Sequence, residues 1–236
     1  MIPLRDANPT RRTPIVTLAL IGACFVAFAW QLGLLTTGGQ PALDSFLRDH
    51  GVVPAEVTRV ANSGQLVSEP VLDLVTSQFL HVGWLHLLAN MLYLWIFGNN
   101  IEDRIGRPGF LVFYLVGGVV AAGAQVLIDP GSSIPIVGAS GAIAATLGAY
   151  LVLFPRARIL SLVFLGFFYQ LIQVPALLVL GFWFVLQLID GVASLGATAE
   201  GGVAFFAHIG GFVAGLVVGM AVRISSGRWP REASVG

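Results

Sequence analysis

The sequence has no lysine and a single cysteine, and charge of either sign is scarce: 12 arginines and 12 acidic residues among 236 positions. Charged residues are 10% of the chain, against about 25% in an ordinary soluble domain. A disordered chain needs low hydrophobicity and high net charge. Here 56% of residues are hydrophobic, mean hydropathy is +0.87 and the net charge is zero. With no basic surplus there is no electrostatic footprint for nucleic acid. Cys24 alone cannot close an internal bridge, which excludes a disulfide-stapled scaffold. No repeat, low-complexity tract, cofactor motif or metal-ligand spacing is present, so neither a cofactor nor a metal is expected. What the chain does have is six uncharged windows: Arg12–Asp44, Asp73–Glu102, Arg107–Asp129, Asp129–Arg156, Arg158–Asp190 and Glu200–Arg223. This is the pattern of a protein whose partner is the lipid bilayer, with room for about six helical spans of ~20 residues.

The windows place spans near Pro14–Leu35, Trp84–Ile101, Pro108–Ile128, Ala139–Phe154, Val174–Leu188 and Gly202–Val222. The expected fold is an all-α, polytopic membrane bundle. Residues 1–13 form an N-terminal segment, 14–223 the membrane domain and 224–236 a tail. Arginine placement orients it. With the N-terminus cytoplasmic, ten of the 12 arginines are cytoplasmic, and only Arg48 and Arg59 lie outside, both in the loop 36–83. Both termini are then cytoplasmic. The basic start and Ala27-Phe28-Ala29 hint at a signal peptide, but the apolar run outlasts a 7–15-residue h-region, so retention is expected. The short termini point to a bacterial plasma membrane, with an organellar one left open. The loop from Thr36 to Gly83 far exceeds the ~12–15 residues usual for structureless connections. It reads equally as a surface-lying amphipathic segment or as a lid over a site. The window from Arg158 to Asp190 is too long for one span and too short for two. Two crossings would put Arg223 outside, so Ile159–Gln173 is expected at the cytoplasmic face, with only Val174–Leu188 crossing.

Polar groups inside a membrane are costly and usually functional. Four stand out: His86, Asn90, Ser140 and His208. Ser140 lies in Gly138-Ala139-Ser140-Gly141 at the head of the fourth span. A helix N-terminus supplies unpaired N–H groups for developing negative charge, and glycines let a substrate backbone approach. On the tetrapeptide alone, close helix packing is the commoner explanation. His208 adds a group able to act as a base near neutral pH. Behind it run Gly211, Gly215 and Gly219, four apart, a smooth stripe for close helix contact. If that stripe packs on the fourth span, His208 is carried towards Ser140. His86 and Asn90, at i and i+4, share a face of the second span and can both donate hydrogen bonds to an oxyanion. Trp84, Tyr93 and Trp95 read as interface anchors and packing.

Together these pieces resemble the rhomboid family of intramembrane serine proteases over about residues 76–220. They are His86-Leu87-Leu88-Ala89-Asn90, Gly138-Ala139-Ser140-Gly141 and Ala207-His208-Ile209-Gly210-Gly211 with Gly215. The resemblance implies Ser140 as nucleophile and His208 as base of a Ser–His dyad. It implies Asn90 and His86 as oxyanion donors beside the Ser140 N–H. It also implies Glu102 in a structural polar network. An aromatic residue that some members carry four positions after the serine is Ala144 here, so any ring on His208 must come from elsewhere. No third acid stands near the dyad, which leaves helix packing to fix the imidazole.

The function expected is cleavage of transmembrane or juxtamembrane segments of membrane proteins, single-span ones above all, since these arrive by lateral diffusion. The alternatives are a non-catalytic binder on the same fold and a small transporter. A transporter usually shows intramembrane charge or inverted repeats, and neither is seen. The oligomeric state is not readable from the sequence.

Overall fold

The computed structural model of this chain describes residues 2–64, 68–165, 168–195 and 203–225. Leu66 and Val67 of the long loop, Glu200 and Gly201 before the sixth expected span and Gly202 at its start, and Arg228 and Arg231 of the tail lie outside the described residues. The chain runs β1 (Ile2–Asp6), α1 (Ile15–His50), α2 (Pro54–Ser63) and α3 (Glu69–Thr76), the last closing in a 3₁₀ turn (Ser77–Phe79). Next α4 (Trp84–Tyr93) passes through a π-turn (Leu94–Gly98) into α5 (Asn99–Ile105), and α6 (Arg107–Ile128) and α7 (Ser140–Leu153) follow. A hairpin of β2 (Arg158–Leu165) and β3 (Phe168–Pro175) leads to α8 (Ala176–Ser194) and α9 (Phe205–Ser225).

The centre is α7. It is apolar on every side, and Gly141 to Tyr150 are buried without a break. A helix hydrophobic all round belongs inside other helices, and small residues allow them close. A Cβ on Gly141 would lie 2.7 Å from the Ala121 Cβ of α6, and one on Gly117 2.8 Å from the Ala145 Cβ of α7. On the other side, a Cβ on Gly148 would meet the backbone carbonyl of Phe212 in α9. Without a hydrophobic drive between helices in lipid, this backbone-to-backbone dispersion is the main packing force.

Four described helices, α1, α6, α8 and α9, are long and apolar enough to cross a membrane. A fifth candidate exists only as the bent pair Glu69–Phe79 and Trp84–Ile105, at 81°. The 14 residues of α7 rise about 21 Å, short of a ~30 Å hydrocarbon core. The chain is thus a multi-pass membrane protein of the helical class, with four to five candidate spans where the sequence suggested six.

The expected all-α class needs correction. The chain is mostly helical but not all-α: β1, β2 and β3 form one antiparallel sheet in that order. The window from Arg158 to Asp190 therefore divides into a hairpin and the single helix α8, which begins two residues after Val174 and continues to Ser194. Its apolar run carries no alternation to betray strands, and periodicity cannot separate a short apolar strand from helix. The described parts of the segment 36–83 are largely helical. Helix α1 continues past a break at Gly39 (φ 70°, two residues before Pro41) to His50, and α2 and α3 follow.

Polar clasps fix the end of the bundle that holds the N-terminus. Both Glu102 carboxylate oxygens accept from the start of α1: Val16 N–H at 3.0 Å, and Thr17 N–H and Oγ1–H each at 2.8 Å. A carboxylate at the positive end of a helix dipole in so buried a site is worth up to ~2 kcal/mol. Asp6 Oδ2 accepts from Asn100 Nδ2 at 2.6 Å and from the Tyr150 hydroxyl at 2.9 Å, tying β1 to α5 and α7. Burial raises the Asp6 carboxyl above the usual carboxylate range, and these hydrogen bonds oppose the rise.

Candidate active site

At the opposite end of α7, Ser140 is the first helical residue, and its backbone N–H and the next two have no intrahelical acceptor. The approach to it is forced. Gly138 has φ 127°, a conformation side chains rarely adopt, and a Cβ there would sit 2.8 and 2.9 Å from the Cε1 and Nε2 of His86. Only glycine fits on both counts. The stretch before it is stapled to the segment 36–83. Val52 and Ile136 exchange backbone hydrogen bonds at 3.0 and 2.8 Å, and the Gly138 N–H donates to the Ser77 carbonyl at 2.9 Å. The segment 36–83 is thus part of the wall that holds Ser140 in place.

His208 sits in the first turn of α9, where the Phe206 N–H donates to Gln125 Oε1 of α6 at 3.1 Å. The glycine stripe lies on α7. A Cβ on Gly211 would meet the Gly141 carbonyl, one on Gly215 the Ala145 carbonyl, and one on Gly219 the Ala149 Cα at 3.0 Å. That close crossing brings His208 Nε2 to 2.8 Å from Ser140 Oγ. The other ring nitrogen, Nδ1, lies 2.6 Å from Gln187 Oε1 of α8. The ring of Trp183, one turn before Gln187, lies 5.9 Å from the imidazole at 36°. Neither α8 residue was singled out in the sequence. The signal was there: Trp183 and Gln187 are i and i+4, one helix face, and Gln187 is a polar group inside an apolar run.

His86 and Asn90 occupy one face of α4. His86 reaches the Ser140 approach through its contact with the Gly138 position. Asn90 is buried, and its Nδ2 donates to the His86 carbonyl at 2.9 Å. No hydrogen bond joins Asn90 to Ser140 here. Two buried ring nitrogens, His86 Nδ1 and His81 Nε2, have no protein partner, and the two rings stand 5.1 Å apart. Among the described residues, no group of three His, Cys, Asp or Glu is placed to hold a metal ion.

A family model described as the rhomboid domain matches residues 68–225. The chain is 34% identical over 147 residues to the rhomboid protease GluP of Bacillus subtilis, covering 62% of this chain and 26% of that protein. It is 30% identical over 153 residues to the mitochondrial rhomboid protein 1 of Saccharomyces cerevisiae, covering 63% and 41%. It is 36% identical over 90 residues to the mitochondrial presenilin-associated rhomboid-like protein A of Danio rerio, covering 37% and 24%. The chain therefore spans less than half the length of each of these relatives.

Proposed function

The chain belongs to the rhomboid family, and from that premise we propose that it is an intramembrane serine endopeptidase acting through Ser140 and His208. The observation that carries the reading is the 2.8 Å approach of His208 Nε2 to Ser140 Oγ at the head of a buried helix. A hydroxyl becomes a nucleophile when a neighbouring base takes its proton as it attacks. In this reading Ser140 Oγ bonds to the scissile carbonyl carbon while its proton passes to His208 Nε2. The oxyanion faces the Ser140 N–H, the His86 ring and the Asn90 amide, which has a second N–H beyond the one on the His86 carbonyl. The proton then goes to the leaving amine as the C–N bond breaks. Water repeats the sequence on the acyl-enzyme.

In the same reading both termini are cytoplasmic, and α7 is a sixth, shortened crossing. Shielded by α6 and α9, it need not reach both surfaces. Ser140 then lies below the outer surface, within reach of water from that side. The substrates are membrane proteins, single-span ones first, because a segment must leave helical form beside Ser140 to present a carbonyl. A bacterial plasma membrane is the proposed location.

The test is labelling by a fluorophosphonate probe together with cleavage of a single-span substrate in vesicles. Wild type should label and cut. Ser140→Ala and His208→Ala should each fall to background at unchanged thermal stability, because the pair acts as a unit. Cleavage by Ser140→Ala at the wild-type rate overturns the assignment, and a folded wild type that neither labels nor cuts favours the non-catalytic binder.

A further inference from the structure

An imidazole acts as a base only through the nitrogen that lacks a proton, and the neutral ring has one of each kind. The partner of Nδ1 therefore decides whether Nε2 can accept from Ser140. Here that partner is Gln187 Oε1 at 2.6 Å. Resting on the Ser140–His208 reading, we infer that Gln187 is the positioning residue of the site: its carbonyl oxygen holds the Nδ1–H tautomer of His208 and aims the Nε2 lone pair at Ser140.

Either end of the amide could face the ring, and the chemistry selects one. With the NH₂ end towards Nδ1, that nitrogen must be the bare one and Nε2 carries the proton, so Ser140 meets a donor. With Oε1 towards Nδ1, the Ser140 hydroxyl donates to a free Nε2. The second arrangement also survives the reaction. Once Ser140 has given up its proton the ring carries N–H on both nitrogens, and Nδ1–H keeps its acceptor. The NH₂ end would then oppose N–H to N–H. Throughout the cycle the Nδ1 proton stays in place. Gln187 gains and loses nothing.

The surroundings explain why an amide can serve. Among the described residues, Ser140 of α7 and Trp183 and Gln187 of α8 lie against His208, with His86 of α4 at the approach to Ser140. None is an acid. An unpaired carboxylate in such a site would bear a large desolvation cost, whereas a neutral amide fixes the tautomer with little. The Trp183 ring, itself set against Phe212 at 6.0 Å, limits rotation of the imidazole. One face of α8 thus controls both the plane and the protonation state of the base.

Gln187→Met keeps the length of the side chain and removes the strong acceptor. Gln187→Glu restores an acceptor and adds charge. The full chain in vesicles, with a fluorogenic single-span peptide, should show kcat lowered about 10- to 100-fold in Gln187→Met, part of the 10²–10⁴ that a general base contributes. KM and thermal stability should change little. Gln187→Glu should recover part of the activity lost in Gln187→Met, short of wild type because its carboxylate is desolvated, and the acidic limb of its pH–rate profile should move to higher pH, because a carboxylate favours imidazolium. Nitrogen NMR of histidine-labelled protein, with His208→Ala to identify the signal, should report Nδ1–H in wild type and lose it in Gln187→Met. That signature reports directly on the tautomer and not on stability. A Gln187→Met enzyme with wild-type kcat and an unchanged His208 tautomer overturns the inference while Ser140→Ala stays dead. If Ser140→Ala still cleaves, the underlying reading has failed instead.

Discussion

Gly215→Ala adds one methyl group where α9 crosses α7, and its cost can be worked from the backbone. The new Cβ would lie 2.7 Å from the Ala145 carbonyl carbon and 2.9 Å from its Cα, with the carbonyl oxygen nearer still. Ordinary carbon contacts are about 3.5–4.0 Å. The obstacle is main chain inside a buried helix, so no rotamer can relieve it, and the two helices must part by about 1 Å. A gap of that size forfeits roughly a quarter to a half of each contact lining it, and such overpacking typically costs about 1–3 kcal/mol. Alanine's better helix propensity returns up to ~1 kcal/mol, so a net destabilisation of up to about 2 kcal/mol is expected. The same displacement reaches His208, two turns or about 10 Å away. Its 2.8 Å contact with Ser140, lengthened by half the separation, passes ~3.2 Å, the long end for such a bond. Thermal unfolding in one detergent should show the loss, and kcat for a single-span peptide should fall about tenfold or more, in line with the cost of small misplacements. Gly123→Ala, where a Cβ on α6 meets nothing within 4 Å, is the control and should match or exceed wild-type stability. A Gly215→Ala enzyme as stable and active as that control would show that the crossing does not hold His208 in place.

Other substitutions probe separate parts of the argument. Gly138→Ala should lower fluorophosphonate labelling by about 10²-fold or more while the protein still folds, since it strains a φ of 127° and strikes the His86 ring; normal labelling would remove the need for glycine there. Asn90→Ala should reduce kcat about 10- to 100-fold with KM unchanged, below the 10²–10³ of a lone oxyanion donor because others remain; a rise in KM alone would make it a substrate contact. Asp6→Asn tests burial through pH. The folded carboxyl titrates above its ordinary value, so its favourable contribution is full below the ordinary carboxylate pKa and declines as pH rises through the raised one. The asparagine oxygen can still accept from Asn100 and Tyr150, so the variant's melting temperature should gain on wild type as pH is raised from about 4 to 7, and a constant gap would refute the cause given.

His86, Asn90, Ser140 and His208 stood out in the sequence because each is a polar group interrupting an apolar run, where membrane physics makes polarity expensive. The stripe Gly211–Gly215–Gly219 was readable for a related reason: its spacing of four lays three missing side chains on one face. Gln187 is the same kind of signal but fell at the end of an expected span, where glutamine passes for interface. It became meaningful only once α8 was seen to carry it over the imidazole, with Trp183 supplying the ring that Ala144 cannot. The hairpin was hidden by composition. Ile159–Gln173 is apolar on both faces of its strands, and its partner β1 lies at the other end of the chain, a pairing no local pattern encodes. The helices of the segment 36–83 were masked by Gly39, Pro41 and the mixture of apolar and acidic residues that follows.

The clasp between β1 and the rest of the protein also has a consequence in time. Ile2 pairs with Leu162 and Asp6 with Ile159, so β1 must wait for residues some 150 positions later. At ~5–20 residues per second that interval is about 8–30 s. Throughout it Asp6 stays in water and α1 to α7 assemble without their end seal. The sheet is therefore a closing step: it can form only on a bundle whose seventh helix already presents Tyr150. A nascent chain arrested before residue 158 should leave its first ten residues open to protease, and one arrested beyond residue 175 and its exit-tunnel allowance should protect them.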